Sequence, residues 1–270
     1  MSTENSGHPG VPVEHATWQK NRWAEVTEPG GKAGTVQLAI FSEPGGVAPD
    51  LPGRWEVKAS GTLTLTVTAA DGISIGGEPA TGVVDVASGT QVQLPDGRVS
   101  FVSGRDGTYG MVVWDPSAPV LTGLRDIATY PYDPSWVVDA EYRPTPGRTV
   151  EVERLTSPRS KDTVSAPGDL IVELDGEKHA LVVLEAVPGI RLAVFTDTSS
   201  GTDTPEIGRW LTLPPDEGNN TFQVDFNQVT LPHHVFSTAY PCPLPLEANH
   251  LPMTVDAGER AALFDEAGAR

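Results

Sequence analysis

Cysteine is almost missing from this chain: Cys242 stands alone among 270 residues. No disulfide can form within the chain, and a metal site built from two or four cysteines of one chain is excluded. Positive charge is scarce as well. Lys and Arg total 18 against 36 Asp and Glu, giving a net charge of -18. Such a field repels phosphate backbones and anionic lipid headgroups, so neither nucleic acid nor a membrane is expected as a partner. Long apolar runs are lacking; nothing approaches the roughly 18–20 residues that cross a bilayer as a helix. The opening MSTENSGHPG has no basic-then-apolar order of a secretory leader. Together with the lone cysteine, this leads us to expect a cytoplasmic protein.

Familiar chemical signatures are missing too. The chain has no G-x-S-x-G elbow, no phosphate-binding P-loop, no H-E-x-x-H and no G-x-G-x-x-G between a strand and a helix. The pairs Gly45-Gly46 and Gly76-Gly77 sit among short strands and read as turns. The cofactor and the oligomeric state are both left open.

What the chain does contain is β texture. Residues 1–12 read as a disordered lead, and 13–28 as a helix without Gly or Pro that stops at Pro29-Gly30, with Trp18 and Trp23 available to dock it. From residue 35, short runs rich in Val, Thr and Ile alternate with turn residues, predicting strands at 35–41, 54–60, 62–69, 82–87, 90–94, 98–103 and 108–114. The alternation from Thr62 to Thr68 marks a half-buried strand, and Asp71-Gly72 and Asp96-Gly97 signal hairpins. Residues 115–135 are rich in proline and read as a connection. Strands resume at 136–143, 148–155, 168–174, 179–186, 190–196, 207–213 and 221–226, with Asp175-Gly176 turning a hairpin. A proline-rich loop over 228–252, a last strand near 253–256 and a short helix near 257–266 close the chain. The expected fold is all-β, antiparallel and sandwich- or barrel-like, in one or two packed β subdomains. These comprise 13–120, with the N-terminal helix, and 121–270.

Polar groups gather in the last third: Asp197, Arg209, Asp225, Asn227, His233, His234, Cys242, Glu247, Asn249 and His250. Loops on a rigid β scaffold often carry binding groups. We expect a small polar molecule to be held under the 228–252 loop, with Arg209, Asp225, Asn227, His234, Cys242 and Asn249 as its contacts. The alternative is a hydrolase or isomerase with Asp225 or His234 as general base. A structural or partner-binding module is the third reading. Each residue also has a plainer role. Asp225 would pair with Arg209 and pin the loop to the sheet, Asn227 would satisfy loop carbonyls, and Asp197 would cap a turn. His234 and Cys242 are the only weak metal candidates, and a zinc ion would still need ligands such as Asp225, Glu247 or His250. We therefore expect no metal. Cys242 as a nucleophile would need His234 or His250 folded against it. Trp114-Asp115 and Tyr130-Pro131-Tyr132 put aromatic surface beside acids, which suits a sugar or an organic cation but more simply packs.

Several of these pieces coincide with a known pattern. They are YPYDPSWVVDAEYRP from Tyr130, FTDTSSG from Phe195 with Gly208-Arg209 after it, Val224-Asp225-Phe226-Asn227, the run from Cys242 to Pro252, and Ala257-Gly258-Glu259. In these the chain resembles the bacterial and archaeal domain-of-unknown-function family catalogued as number 1684, most clearly over residues 101–260. The resemblance implies no settled activity. It does expose a departure: His234 stands where the family's first cysteine is expected, while Cys242 keeps the second. A Cys/His pair cannot form a disulfide, so redox pairing is not what a shared site would need.

Overall fold

The computed structural model describes residues 11–41, 51–105, 107–187, 189–215 and 218–265. The expected lead, apart from residues 11 and 12, and the Gly45-Gly46 turn lie outside them. The chain is mostly β and antiparallel, and its described residues divide into two bodies, 24–124 and 11–23 with 125–264. Helix α1 covers Val13–Thr27, as the Gly- and Pro-free run predicts.

The first body holds β1 (Thr35–Phe41), β2 (Arg54–Val57), β3 (Leu63–Val67), β4 (Ser74–Ile75), β5 (Glu78–Pro79), β6 (Gly82–Asp85), β7 (Gln91–Gln93), β8 (Val99–Arg105) and β9 (Thr108–Trp114). They form a six-stranded sheet, β1-β9-β8-β7-β4-β5, and a three-stranded sheet, β2-β3-β6. The period-2 pattern of β3 turns Leu63, Leu65 and Val67 into a core shared with Trp55, Ile73, Met111 and Val113. Asp96-Gly97 turns β7 into β8 as expected. Asp71-Gly72 does not make a hairpin: Asp71 caps a short 3-10 turn by accepting from the Thr68 backbone N–H at 2.6 Å, and β3 pairs with β6 instead. The local Asx bond outcompeted the turn that the dipeptide favours.

The second body contains β10 (Leu124–Thr129), β11 (Val137–Pro144), β12 (Thr149–Arg154), β13 (Ser160–Leu174), β14 (Glu177–Val187), β15 (Ile190–Phe195), β16 (Arg209–Thr212), β17 (Thr221–Asp225) and β18 (Glu259–Phe264). Seven of these strands form one sheet, β16-β15-β14-β13-β11-β17, with β12 also on β13. Asp175 and Gly176, both at positive φ, make the tight turn that joins β13 to β14. The core gathers Leu170, Val172, Leu181, Val183, Phe195 and Phe226.

The C-terminal helix expected near 257–266 is not there. Glu259–Phe264 is strand β18, paired with β10 in a two-stranded ribbon. Gly258 at φ 75° sets the chain into that strand, and a Cβ there would meet the Val229 carbonyl at 2.6 Å. Residues 115–135, read as connection, supply the other ribbon strand. The docked stripe of α1 is also not the expected pair of tryptophans. Its buried residues in this body are His15 and Arg22, one face at i and i+7, with Trp18 half-buried between them and Trp23 37% exposed.

Candidate functional site

The polar residues of the last third are ordered by what the backbone around them lacks. Residues 226–258 contain three short 3-10 turns, at Phe226–Gln228, His233–Val235 and Glu247–Asn249, and no ladder strand among those assigned. Their N–H and C=O groups must find partners elsewhere.

Arg209 finds several at once. It is 1% exposed at the start of β16, and its guanidinium donates to the carbonyls of Ala257 at 2.6 Å, Val255 at 2.8 Å and Glu259 at 3.3 Å. Its fourth acceptor is Asp197 Oδ2 at 2.5 Å. The guanidinium carbon lies 5.5 Å from the centre of the Phe195 ring and 5.8 Å from that of Tyr130. Asp197 is itself filled, accepting from the Ser199 N–H at 2.8 Å, the Ser199 hydroxyl at 2.5 Å and the Val255 N–H at 3.3 Å. Gly208 before Arg209 stands at φ 75°, where a Cβ would run into the Phe195 carbonyl. The expected Arg209–Asp225 fork does not form. Asp197, read as a turn cap, is both the cap and the buried counter-ion.

Asp225 and Asn227 do come together. Asp225 Oδ1 accepts from the Asn227 backbone N–H and from its Nδ2, both at 2.9 Å, and Oδ2 accepts from Gln228 Nε2 at 3.2 Å. The Asn227 amide closes a ring with the Asp133 backbone, donating to its carbonyl at 2.9 Å and accepting from its N–H at 3.0 Å. Asn249, fully buried, spans β14 and β15 at Val182 and Val194, one step beyond the Leu184–Leu192 pair of their ladder. Its Oδ1 accepts from the Val182 N–H at 2.7 Å, and its Nδ2 donates to the carbonyls of Val182 at 2.9 Å and Val194 at 2.8 Å. One side chain thus replaces a missing rung.

His234 and Cys242 meet at one backbone atom. The Tyr240 carbonyl accepts from His234 Nδ1 at 2.9 Å and from the Cys242 N–H at 2.9 Å. That bond places a proton on Nδ1, since the carbonyl can only accept. The Cys242 side chain is buried, and its carbonyl takes the Leu155 N–H, stitching the arm to the end of β12. Neighbouring His233 packs instead between Trp210 and Tyr240, at centroid distances of 4.7 and 5.0 Å. Of the two aromatic stretches read as sugar or cation surface, Trp114 is buried in the first body, and Tyr130 stacks on Arg209 and Arg260. Among the described residues no three His, Cys, Asp or Glu side chains converge as metal ligands.

The sequence reading missed a cleft elsewhere in the second body. Helix α1 and the β10–β18 ribbon border an open cleft of about 450 Å³. Trp18, Gln19 and Trp23 line it from the helix, and Asp126–Thr129 from β10. Its floor is the buried pair Arg22–Glu259, Nε to Oε1 at 2.8 Å and a second nitrogen to Oε2 at 3.3 Å. Glu259 Oε2 also accepts the Leu231 N–H at 2.7 Å, so the pair ties α1, β18 and the arm together. At the edge, Gln19 Nε2 donates to Thr129 Oγ1 at 3.4 Å. One turn N-terminal, His15 stacks on Trp18 at 5.4 Å and packs at a tilt of 54° against Tyr132 at 5.0 Å. Its Nδ1 is buried without a hydrogen-bond partner, and burial holds its pKa below the ordinary value against a weaker upward pull from Asp225. The only hint of this cleft in the sequence was the spacing of His15, Trp18 and Arg22. Its other wall was hidden because β10 was read as linker and β18 as helix.

A larger open groove of about 850 Å³ runs over β11, β13, β14 and β17. Two of its acids, Glu141 and Asp139, are engaged along the strands. Glu141 is held by Arg143 at 2.8 Å, which lowers the Glu141 pKa, and Asp139 accepts from Gln223 at 3.2 Å.

Among the described residues no helix is long and apolar enough to cross a membrane. No curated protein matches the chain. A solved relative is an uncharacterized protein of Haloarcula marismortui, known from a solution NMR structure. It is 27% identical over 50% of this chain and 76% of that one, with a TM-score of 0.42. The model of a family described as proteins of unknown function, DUF1684, matches residues 122–260. That stretch contains the Arg209–Asp197 frame, the Asn227 and Asn249 bridges and the Glu259 tie, and by this match the chain belongs to the DUF1684 family.

Proposed function

We propose that this chain is a binding protein rather than an enzyme, and that it holds a small polar molecule in the cleft between α1 and β10. One contrast carries the reading. Arg209, Asp225, Asn227 and Asn249 have their polar atoms occupied by the chain itself, and His234 Nδ1 is given to Tyr240. A general base must reach a substrate proton, and a carboxylate whose two oxygens are already taken, as at Asp225, is poorly placed for that. The α1 cleft combines a volume in the usual ligand range of about 300–1,000 Å³ with indole surface and a few polar groups. Its ion-pair floor keeps the helix in place without lending either charge to a ligand. In this reading the proline-rich arm with Arg209, Asp225, Asn227, His234, Cys242 and Asn249 is framework.

The test is native mass spectrometry of the purified chain. We expect a retained species that survives Asp225→Asn and His234→Gln and is lost in Trp18→Ala with Trp23→Ala. A species lost on changing Asp225 or His234 but kept without the two indoles would move the site to the arm and reinstate that expectation.

A further inference from the structure

Resting on this reading, we propose that the ligand of the α1 cleft is a small organic cation, an alkylated ammonium or guanidinium group. The reasoning starts from which charges the cleft presents. Among the described residues Arg22 is the one positive residue in its lining, and Glu259 neutralises it through both carboxylate oxygens. Asp126 on β10 is the remaining charged group of the lining, and it is negative. Trp18 and Trp23 complete the wall. An indole face is the strongest aromatic partner for a cation, and its attraction grows where water is excluded. Trp18 stacks on His15. The depressed pKa of that imidazole keeps it neutral near pH 7, so the stack adds no positive charge behind the indole. Gln19 and Thr129 offer neutral polar atoms at the edge for a hydroxyl or amide tail. At long range, the net charge of -18 raises the local concentration of cations and lowers that of anions. An anionic ligand would meet Asp126 with no unpaired cation in the lining to offset it. A neutral sugar would stack on indole equally well but gain nothing from Asp126 or from the field.

The experiment is isothermal titration of the full chain with choline, its neutral isostere 3,3-dimethylbutan-1-ol, and glucose. Choline is expected to bind saturably and about tenfold tighter than the isostere, the scale of one desolvated cation–indole contact. Trp23→Ala and Asp126→Asn, both at exposed positions, should each weaken choline several-fold, and added salt should weaken it further in the wild type. An isostere or glucose that binds as well as choline, with the same loss on Trp23→Ala, would overturn the cation assignment and leave the cleft as the site. Failure of all three probes, with no retained species in the mass spectrum, would remove the binding reading as well.

Discussion

The two bodies of this chain bury their backbones in opposite ways. In the first, the described residues with buried polar side chains are Thr35, Thr64 and Ser100, and the core is a mass of Trp55, Leu63, Leu65, Met111 and valines. Its strands satisfy one another, so the interior needs little polar help. The second body buries Arg22, Arg209, Asp197 and Glu259 as ions and Asn227 and Asn249 as amides. The difference follows from residues 226–258. They form no ladder strand and meet the sheet backbone only at isolated points such as Thr230 on Trp210, Pro243 on Arg154 and His250 on Thr196, so side chains supply much of the hydrogen bonding that a ladder would have given. A concentration of polar residues in one stretch of sequence can therefore mark irregular backbone under cover rather than a site. The frame lies within the stretch that the family model matches.

The largest test of the contrast is Arg209→Met. Removing one member of a buried ion pair leaves the other uncompensated and costs about 3–5 kcal/mol, read as a lower urea midpoint at unchanged slope. Adding Asp197→Leu separates two explanations. Were the ion pair the point, the double variant would recover most of the loss. Arg209 also serves three carbonyls, so we expect much of the loss to persist. Full recovery would mean that the frame argument fails and that the second body is held like the first.

Next in size is Asn249→Ala, which strands the Val182 N–H and the Val182 and Val194 carbonyls inside the sheet. About 1–3 kcal/mol is expected from unpaired buried groups. Hydrogen exchange should locate the effect at β14 and β15. Uniform loss of protection, with no focus on those strands, would count against the rung role.

How much of this was legible beforehand depends on the range of the forces involved. Local signals worked: the Gly- and Pro-free run gave α1, the alternation from Thr62 gave β3, and Asp175-Gly176 gave its turn. The polar gathering around 197–252 was visible as composition, but its pairing was not. Asp225 lay in a neighbouring predicted strand and seemed the natural partner for Arg209. Asp197 was already assigned to a turn, and nothing in spacing says that one carboxylate does both jobs. Strands β10 and β18 were lost for a related reason. Each is short, carries no clean alternation, and exists because the other is there to pair with it. With that ribbon unseen, a cleft against it was beyond reach.

The smallest expected effect sits at His15, where the second body buries a titratable ring without a hydrogen-bond partner for Nδ1. Desolvation lowers its folded pKa below the ordinary 6.5, with Asp225 pulling weakly the other way. The unfolded chain therefore holds more protons on this residue across the interval between the folded value and 6.5. Stability from this group is fully present above 6.5 and is lost as pH falls through that interval, flattening once the folded form also protonates. His15→Gln should remove this contribution, so the wild-type and variant urea midpoints, compared from pH 8 to pH 5, should converge as the solution turns acidic. Midpoints that keep a constant separation over that range would show that His15 titrates alike in both states. In that case the packing against Trp18 and Tyr132 would not exclude water, and the wall of the cleft would be wetter and more like a surface than the buried frame beside it.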